Sequence, residues 1–153
     1  MKTVLTYGTF DLFHAGHIRL LKRARSLGDR LIVGCSTDEF NALKGKQSVF
    51  SYEDRALIVG ACKFVDLVIP ESSWQQKSDD IRKYDVDIFT IGDDWIGKFD
   101  HLSEETGCAV TYLTRTPDIS TTDVKSAIQQ LCDDKKRSIL GAVDHLRQCV
   151  DRL

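Results

Sequence analysis

Short apolar runs alternate with longer amphipathic stretches along most of this 153-residue chain. The runs have the length of buried strands, and the stretches between them carry apolar residues at helical spacing. Strands are predicted at Thr3–Tyr7, Arg30–Cys35, Phe64–Ile69, Asp87–Ile91 and Ala109–Leu113, and helices at about 16–27, 51–61, 74–84 and 121–131. This alternation predicts an α/β fold, a Rossmann-like five-stranded parallel sheet with helices on both faces.

A further amphipathic pattern occupies the end of the chain. Apolar residues recur there at alternating steps of four and three, which predicts a C-terminal helical extension with one apolar face. They are Ile139, Val143, Leu146, Val150 and Leu153. The charged stretch at 133–137 suits either a turn or a solvated helix. The apolar face would pack on the parent domain or against its copy in a homodimer.

Composition narrows the class of protein. The formal net charge is −2, with both signs spread through the sequence, so there is no electrostatic footprint for nucleic acid or an anionic membrane. No apolar run approaches the roughly 18 residues that span a bilayer, and Asp11 comes too early for a secretory signal. We therefore expect a soluble, cytoplasmic protein with one main domain.

The five cysteines are widely spaced and odd in number, which favours reduced thiols over a disulfide framework. Cys35, Cys62 and Cys108 lie in or beside apolar runs and are expected in the core. No Cys-x-x-Cys pair joins His14 and His17, so we do not expect a zinc site.

The stretch from Gly8 to His17 follows the first predicted strand and opens the first predicted helix. A helix start leaves about four backbone N–H groups unpaired and carries partial positive charge, so it suits a phosphate. Gly16 would let a phosphate approach the backbone closely. His14 and His17 are three residues apart and share one face of a helix, where two imidazoles can donate hydrogen bonds to phosphate oxygens.

Further candidate residues follow the other predicted strands, whose carboxyl ends meet at one edge of the sheet. Lys44 and Lys46 lie in a long connection after the second strand and suit an anionic ligand. Asp94, after the fourth strand, is either a turn residue or an oxygen ligand of the kind that Mg²⁺ prefers. After the fifth strand, Arg115 offers a guanidinium to phosphate, and a helix capped at Ser120 offers N–H groups and hydroxyls.

Two strings, Gly8-Thr9-Phe10-Asp11 and His14-Ala15-Gly16-His17, resemble the signature of the nucleotidyltransferases with a His-x-Gly-His motif, and within them the cytidylyltransferase branch. Further motifs follow in the family's order between about Lys2 and Leu131. They are Ser36–Asn41, Ser51–Glu53, Val65-Asp66, Gly92–Trp95 and Arg115–Thr122. The resemblance implies a nucleotidyltransferase domain over 1–131 and leaves 132–153 as a C-terminal amphipathic helix extension.

The resemblance also implies an activity, transfer of a cytidylyl group from CTP to a phosphorylated acceptor by in-line attack at the α-phosphorus. The expected acceptor is sn-glycerol 3-phosphate, and the expected products are CDP-glycerol, which serves cell-wall or capsular polymers, and pyrophosphate. The implied cofactor is Mg²⁺, or another divalent cation, held mainly by the triphosphate.

The family's functional residues carry over to matching positions of this chain. The implied catalytic residues are His14, His17, Lys44 and Arg115. The implied CTP-binding residues are Thr9, Phe10, Asp11, His14, Ala15, Gly16, His17, Asp94, Arg115, Thr116, Ile119, Ser120, Thr121 and Thr122. The implied acceptor-binding residues are Lys44, Lys46, Arg55 and Lys77.

Three other interpretations stay open. The first is an adenylyltransferase of the same superfamily, which would use ATP. The second is another acceptor, such as a polyol phosphate, a sugar phosphate or phosphocholine; the family form has Glu-Gly where this chain has Pro117-Asp118. The third is a non-catalytic nucleotide-binding regulator that presents its C-terminal helix to a partner.

Overall fold

The structure, a computed structural model, describes residues 1–115, 117 and 119–152. The chain divides into two compact units, 1–119 and 120–153. The first is built on a five-stranded sheet, and the second is one helix. The domain boundary expected after Leu131 lies inside that helix and stays a prediction.

The strands are β1 (Thr3–Gly8), β2 (Arg30–Ser36), β3 (Leu67–Glu71), β4 (Ile88–Gly92) and β5 (Ala109–Leu113). The helices of the first unit are α1 (Ala15–Arg25), α2 (Asp38–Leu43), α3 (Tyr52–Gly60), α4 (Gln76–Lys83) and α5 (His101–Thr106), with a 3₁₀ turn at Asp93–Trp95. The second unit is α6 (Thr121–Val150).

The five strands are parallel and lie in the order β3-β2-β1-β4-β5. The chain winds outward from β1 to β3, then returns to the centre and winds the other way through β4 and β5. Ligands of such sheets bind beyond the carboxyl ends of the strands, at the point where the winding reverses. Here that point lies between β1 and β4.

The core has two halves because neighbouring residues of a strand face opposite sides of the sheet. Val4 and Leu31 belong to an apolar cluster that includes residues of α1 and α3. Leu5 and Ile32 belong to a second cluster, with residues of α4 and α5. Helices therefore cover both faces, and the predicted Rossmann-like α/β fold is confirmed.

Several element bounds differ from the predicted ones. Helices α2 and α5 are absent from the predicted set, since six residues are too few to show a helical period. Strand β3 begins three residues later than predicted because a turn precedes it, in which the Val65 N–H donates to the Cys62 carbonyl at 2.9 Å. Helix α4 begins two residues late, since the Gln76 side chain accepts from the Ser72 and Ser73 N–H groups.

The cysteines are free thiols. Cys35 and Cys108 are buried, as predicted, whereas Cys62 is only partly buried.

Helix α6 has 30 residues and a length of about 45 Å at 1.5 Å per residue. The charged stretch at 133–137 is helical, and within it Arg137 donates to Asp134 at 2.8 Å. The predicted C-terminal helix is thus confirmed, except that Leu153 lies outside the described residues. In the described part of the chain no helix combines the length and apolarity needed to cross a bilayer.

Candidate active site

His14 and His17 together form a capping box at the start of α1. His14 is the N-cap residue, and its Nδ1 accepts a hydrogen bond from the Gly16 N–H at 3.0 Å. His17 Nδ1 accepts from the His14 N–H at 3.3 Å, and the two rings stack with centroids 3.9 Å apart. Because each Nδ1 is an acceptor, the proton of each neutral ring is on Nε2.

The surroundings of both imidazoles favour the neutral ring. Burial lowers the pKa of His14 below its usual 6.5. Burial also lowers the pKa of His17 to about 4, assisted by repulsion from His14 and opposed by the Asp11 carboxylate. The Phe10 and Phe13 rings lie 5.5 and 5.3 Å from the His17 ring and account for part of this burial. His17, neutral with its proton on Nε2, is therefore a hydrogen-bond donor whose protonation state does not change across neutral pH.

The missing side chain of Gly16 leaves room for the imidazole beside it. A Cβ at this position would lie 2.8 Å from His14 Cε1 and 3.0 Å from Ile119 Cγ2. Gly16 therefore allows the His14 ring to fold back over the helix start. Close approach of a phosphate at Gly16 stays a prediction, and so does contact of Ala15 and Ile119 with the nucleotide.

The turn between β1 and α1 has an unusual backbone. Phe10 and Leu12 have φ values of 54° and 49°, in a region that costs a non-glycine residue about 1–3 kcal/mol. Asp11 lies between them and is buried. Its carboxylate accepts from the Val49 N–H at 2.8 Å and the Phe50 N–H at 3.0 Å. In this structure Asp11 therefore holds the turn against the connection after α2.

Arg55, one of the predicted acceptor contacts, is completely buried. Its Nη1 donates to the Thr9 carbonyl at 2.7 Å, and its Nε donates to the Phe50 carbonyl at 3.1 Å. Its Nη2 donates to the Asp38 carboxylate at 2.7 Å. The guanidinium thus joins the β1 turn to α2 and α3, and its direct contact with a substrate stays a prediction.

Lys44 and Lys77 converge on one buried carboxylate at the ends of β2 and β3. Lys77 Nζ lies 2.6 Å from Glu71 Oε1, and both side chains are almost completely buried. Ser36 Oγ donates to Glu71 Oε2. Lys44 Nζ donates to Ser36 Oγ at 3.0 Å and lies 3.9 Å from Glu71 Oε2. Two predicted acceptor-binding residues are therefore brought together, with two cations around one anion.

Aromatic rings surround these ammonium groups. Lys77 Nζ lies 4.4 Å from the Tyr7 ring centroid and 4.8 Å from that of Trp74, and Lys44 Nζ lies 4.3 Å from that of Phe40. Burial among these groups lowers the pKa of Lys44, and the Glu71 carboxylate opposes that effect. Lys46 differs from Lys44 because it is exposed.

The first residue after β5, Thr114, is bound by the guanidinium of Arg23. Arg23 Nη1 donates to the Thr114 carbonyl at 2.6 Å, and Nη2 donates to the Thr114 hydroxyl at 2.9 Å. The next residue, Arg115, is exposed, and its Nη2 lies 4.0 Å from Asp94 Oδ2. Arg115 and Asp94 thus meet where β4 and β5 end. Thr116 lies outside the described residues, so its predicted nucleotide contact stays a prediction.

The remaining predicted CTP-binding residues belong to the second unit. Ser120 is the N-cap of α6, and its Oγ accepts from the Asp123 N–H at 3.1 Å. Thr121 and Thr122 are the first two residues of that helix. The local cap is as predicted, and contact of these three residues with distal phosphates stays a prediction.

Sequence reasoning did not find Glu71, and it named Ser36 and Asn41 only as the ends of a family motif, with no role in the site. Asn41 is buried; it accepts from the Thr9 hydroxyl at 3.1 Å and donates to the Ser48 hydroxyl at 2.9 Å. Ser36 and Glu71 are the last residues of β2 and β3. A polar residue that ends a strand at the ligand-binding edge was the available signal, but the predicted β3 stopped before Glu71.

Comparison with known proteins identifies the family of this chain. The cytidylyltransferase-like family model matches residues 5–127. The chain belongs to this family. It is 58% identical over 131 residues to glycerol-3-phosphate cytidylyltransferase of Bacillus spizizenii, covering 86% of this chain and 100% of the relative. It is 55% identical over 128 residues to the Staphylococcus aureus protein of the same name, covering 84% and 96%.

A solved structure shares the fold. The lipopolysaccharide core biosynthesis protein from Thermoplasma volcanium superposes with a TM-score of 0.63 at 27% sequence identity. The match covers 78% of this chain and 99% of that one.

Proposed function

We propose that this protein transfers the cytidylyl group of CTP to sn-glycerol 3-phosphate and releases pyrophosphate. The observation that carries the proposal is the pair of imidazoles capping α1, each accepting a backbone hydrogen bond at Nδ1, at the strand edge that also holds Lys44 and Lys77. The relatives named for this activity are more than half identical to the chain over nearly their whole length.

In the proposed reaction an oxygen of the acceptor phosphate attacks the α-phosphorus in line, and the bond to the bridging oxygen of pyrophosphate breaks. Such chemistry depends on positioning and charge stabilisation more than on covalent catalysis. His14 and His17 donate from Nε2 to oxygens of the α-phosphoryl group and to the leaving oxygen. Since the pKa of His17 is about 4, this ring does not have to lose a proton before the substrate binds near neutral pH.

The acceptor phosphate and the distal phosphates of CTP are assigned to different cationic side chains. Lys44 supplies the accessible positive charge that a phosphate monoester acceptor needs, and Lys77 lies buried beside it against Glu71. Arg115 is exposed beside Asp94 and suits the distal phosphates of CTP, since a guanidinium can take two phosphate oxygens at once. The hydroxyls and N–H groups at the start of α6, from Ser120 to Thr122, are of the kind that binds phosphate, and their contact with CTP stays a prediction.

Mg²⁺ fits this donor set as a partner of the nucleotide. Across residues 1–115, 117 and 119–152 no three histidine, cysteine or carboxylate side chains are grouped as a metal site. Mg²⁺ commonly binds through one or two carboxylates together with substrate phosphates. The Asp94 carboxylate is largely exposed and would be the protein's contribution. When bound, the ion would neutralise charge on the triphosphate.

The test is pyrophosphate release from CTP and Mg²⁺, with and without sn-glycerol 3-phosphate, followed by identification of CDP-glycerol by mass spectrometry. Release that requires both substrates is the expected result. Release with ATP in place of CTP, or with a sugar phosphate, polyol phosphate or phosphocholine as acceptor, would replace the substrates and keep the reaction class. Nucleotide binding without release under any of these conditions would instead support a regulatory protein.

We propose that the protein acts in the cytoplasm, where CTP is available, and that its product supplies cell-wall or capsular polymers. Deletion of the gene, followed by analysis of cellular CDP-glycerol and of polymer glycerol phosphate, tests this role. Unchanged levels of both would refute it.

We also propose a homodimer in which α6 pairs with its copy in antiparallel orientation. The apolar stripe runs from Ile128 to Val150, and within residues 120–152 the second unit is a single helix with no other element to cover that stripe. An antiparallel pair centred near residue 140 sets Asp133 opposite Arg147 of the other copy, twice. A parallel pair would set Lys136 beside its own copy.

Light scattering on the full chain tests the dimer. We expect a particle of twice 17.3 kDa that dissociates in Leu146→Asp. Gln148→Asp, on the opposite side of α6, is the matched control and should remain dimeric. A monomeric parent protein, or a dimer that persists in Leu146→Asp, would overturn the proposed pairing.

A further inference from the structure

Glu71 is the only anion described among the contacts of Lys44 and Lys77 in the part of the chain that the structure covers. It is the last residue of β3 and is 3% exposed. Its two carboxylate oxygens have separate partners. Oε1 accepts a hydrogen bond from the Lys77 ammonium, and Oε2 accepts one from the Ser36 hydroxyl. The Ser36 hydroxyl oxygen in turn accepts a hydrogen bond from the Lys44 ammonium.

This arrangement gives the two lysines different tasks. The Lys77 ammonium is buried, faces the Tyr7 and Trp74 rings, and is 2.6 Å from the Glu71 carboxylate. A buried cation is tolerated when an anion compensates it, so Glu71 and Lys77 stabilise each other. Lys44 keeps part of its side chain exposed and reaches Glu71 mainly through Ser36. The cluster thus retains one net positive charge, and its accessible end is Lys44.

We infer that Glu71 is a positioning residue for the acceptor: it aligns the Lys44 ammonium through the Ser36 hydroxyl while it neutralises buried Lys77. This inference rests on the proposed function, since it takes the acceptor to be a phosphate ester. Glu71 touches neither substrate in this scheme. Its effect reaches the reaction through the orientation and the charge of Lys44.

The charge effect predicts a pH dependence. Burial lowers the pKa of Lys44, and the positive groups Lys46, Lys77 and Arg55 lower it further, whereas the Glu71 carboxylate raises it. In Glu71→Gln the carboxylate charge is lost, so Lys44 loses its proton at a lower pH than in the parent protein. The KM for the acceptor should then begin to rise at lower pH in the variant.

The experiment compares steady-state kinetics of Glu71→Gln, Ser36→Ala and a control, Asp87→Asn. The Asp87 carboxylate accepts from the Thr3 N–H at 2.7 Å at the opposite end of the sheet, so its loss weakens the fold without touching the cluster. We expect the acceptor KM to rise about 10- to 100-fold in Glu71→Gln, the loss typical of a charge-assisted hydrogen bond, with the CTP KM changed less than about twofold. Ser36→Ala should show the same selectivity with a smaller rise.

Acceptor binding can also be followed without turnover. The chain has two tryptophans, Trp74 and Trp95, whose ring centroids are 5.4 Å apart, and Trp74 adjoins Lys77. Titration of intrinsic fluorescence with sn-glycerol 3-phosphate therefore reports on this cluster. The affinity should fall in Glu71→Gln by a factor similar to the rise in KM.

The outcomes separate the inference from the proposed function. If the parent protein releases no pyrophosphate with sn-glycerol 3-phosphate, the proposed function fails. If the parent is active and Glu71→Gln changes acceptor and CTP KM alike, or matches Asp87→Asn, Glu71 is only structural and the inference is overturned. Should Glu71→Gln fail to fold, Ser36→Ala decides, since it breaks the link to Lys44 without unpairing buried Lys77; an unchanged acceptor KM there also overturns the inference.

Discussion

His17 has two separable tasks, and a pair of amide substitutions divides them. Its Nδ1 accepts from the His14 N–H and so caps α1, whereas its Nε2 carries the proton that we assign to the transition state. The Oδ1 of an asparagine can take the place of Nδ1, and the Nε2 amide of a glutamine can take the place of the imidazole Nε2–H. His17→Asn therefore keeps the cap and loses the donor, and His17→Gln does the reverse.

The expected magnitudes follow from these contacts. Removal of a preorganised donor to transition-state charge costs about 3–4 kcal/mol, so kcat of His17→Asn should fall about 10²–10³-fold. Its stability should fall by about 1–2 kcal/mol, because the smaller side chain loses stacking with His14 and Phe13. His17→Gln should lose about 1 kcal/mol for the missing cap and keep kcat within about tenfold of the parent.

The assay combines pyrophosphate release at saturating CTP and acceptor with urea unfolding of the same preparations. The informative quantity is the ratio of the two kcat values, since both variants place an amide at the same site and differ in which imidazole nitrogen the amide replaces. Equal losses of kcat in both variants would show that the Nε2 proton is not the donor. A kcat of His17→Asn near that of the parent protein would remove His17 from catalysis.

Three further outcomes are expected. Gly34→Ala places a Cβ in the space that the Tyr7 ring fills and should cost about 3 kcal/mol in urea unfolding, whereas Gly60→Ala, with its nearest neighbour at 3.6 Å, should be nearly neutral. The pKa of His17 is about 4 in the folded protein and 6.5 ordinarily, so between these pH values the unfolded chain binds a proton that the folded chain does not. The free energy of unfolding should therefore fall by roughly 3 kcal/mol as the pH drops from 6.5 to 4. The fall should be smaller in His17→Asn. Burial raises the pKa of the Cys35 thiol to about 11, so iodoacetamide at pH 8 should label the two exposed cysteines of α6 well before it labels Cys35. Peptide mass spectrometry measures the order of labelling, and early labelling of Cys35 would contradict its burial.

The fold could be predicted largely because β1 and β2 are buried on both faces and carry apolar runs at Val4-Leu5 and Leu31–Val33. A strand buried on both sides reads as an unbroken apolar run, and amphipathic stretches on either side of it imply covering helices. The features that the sequence did not predict were a short helix and a helix start that is fixed by a side chain. Helix α2 is only six residues long, and the start of α4 depends on Gln76 bonding to the preceding turn, which hydropathy does not record.

The candidate site was predicted unevenly for a similar reason. His14 and His17 could be found because they are close in sequence and follow a strand. Glu71 could not, since its importance comes from Lys44 and Lys77 meeting it in space, 27 and 6 residues away in the chain. The guanidinium of Arg55 is engaged with protein acceptors, which the sequence did not indicate, and its contact with a substrate stays a prediction. Sequence pattern indicates which residues reach the edge, and packing decides which of their atoms face the ligand.

Because of the histidine capping box, two backbone amides report the positions of the His14 and His17 rings. The amide hydrogens of His14 and Gly16 are bonded to the imidazoles that we assign to the reaction. Their exchange with deuterated solvent is therefore slowed only while both rings keep their tautomers and positions. Helix ends are where amide exchange usually begins, because they open with little free energy. In this protein the exchange rate of two amides measures, with no substrate present, how much of the population is poised to react.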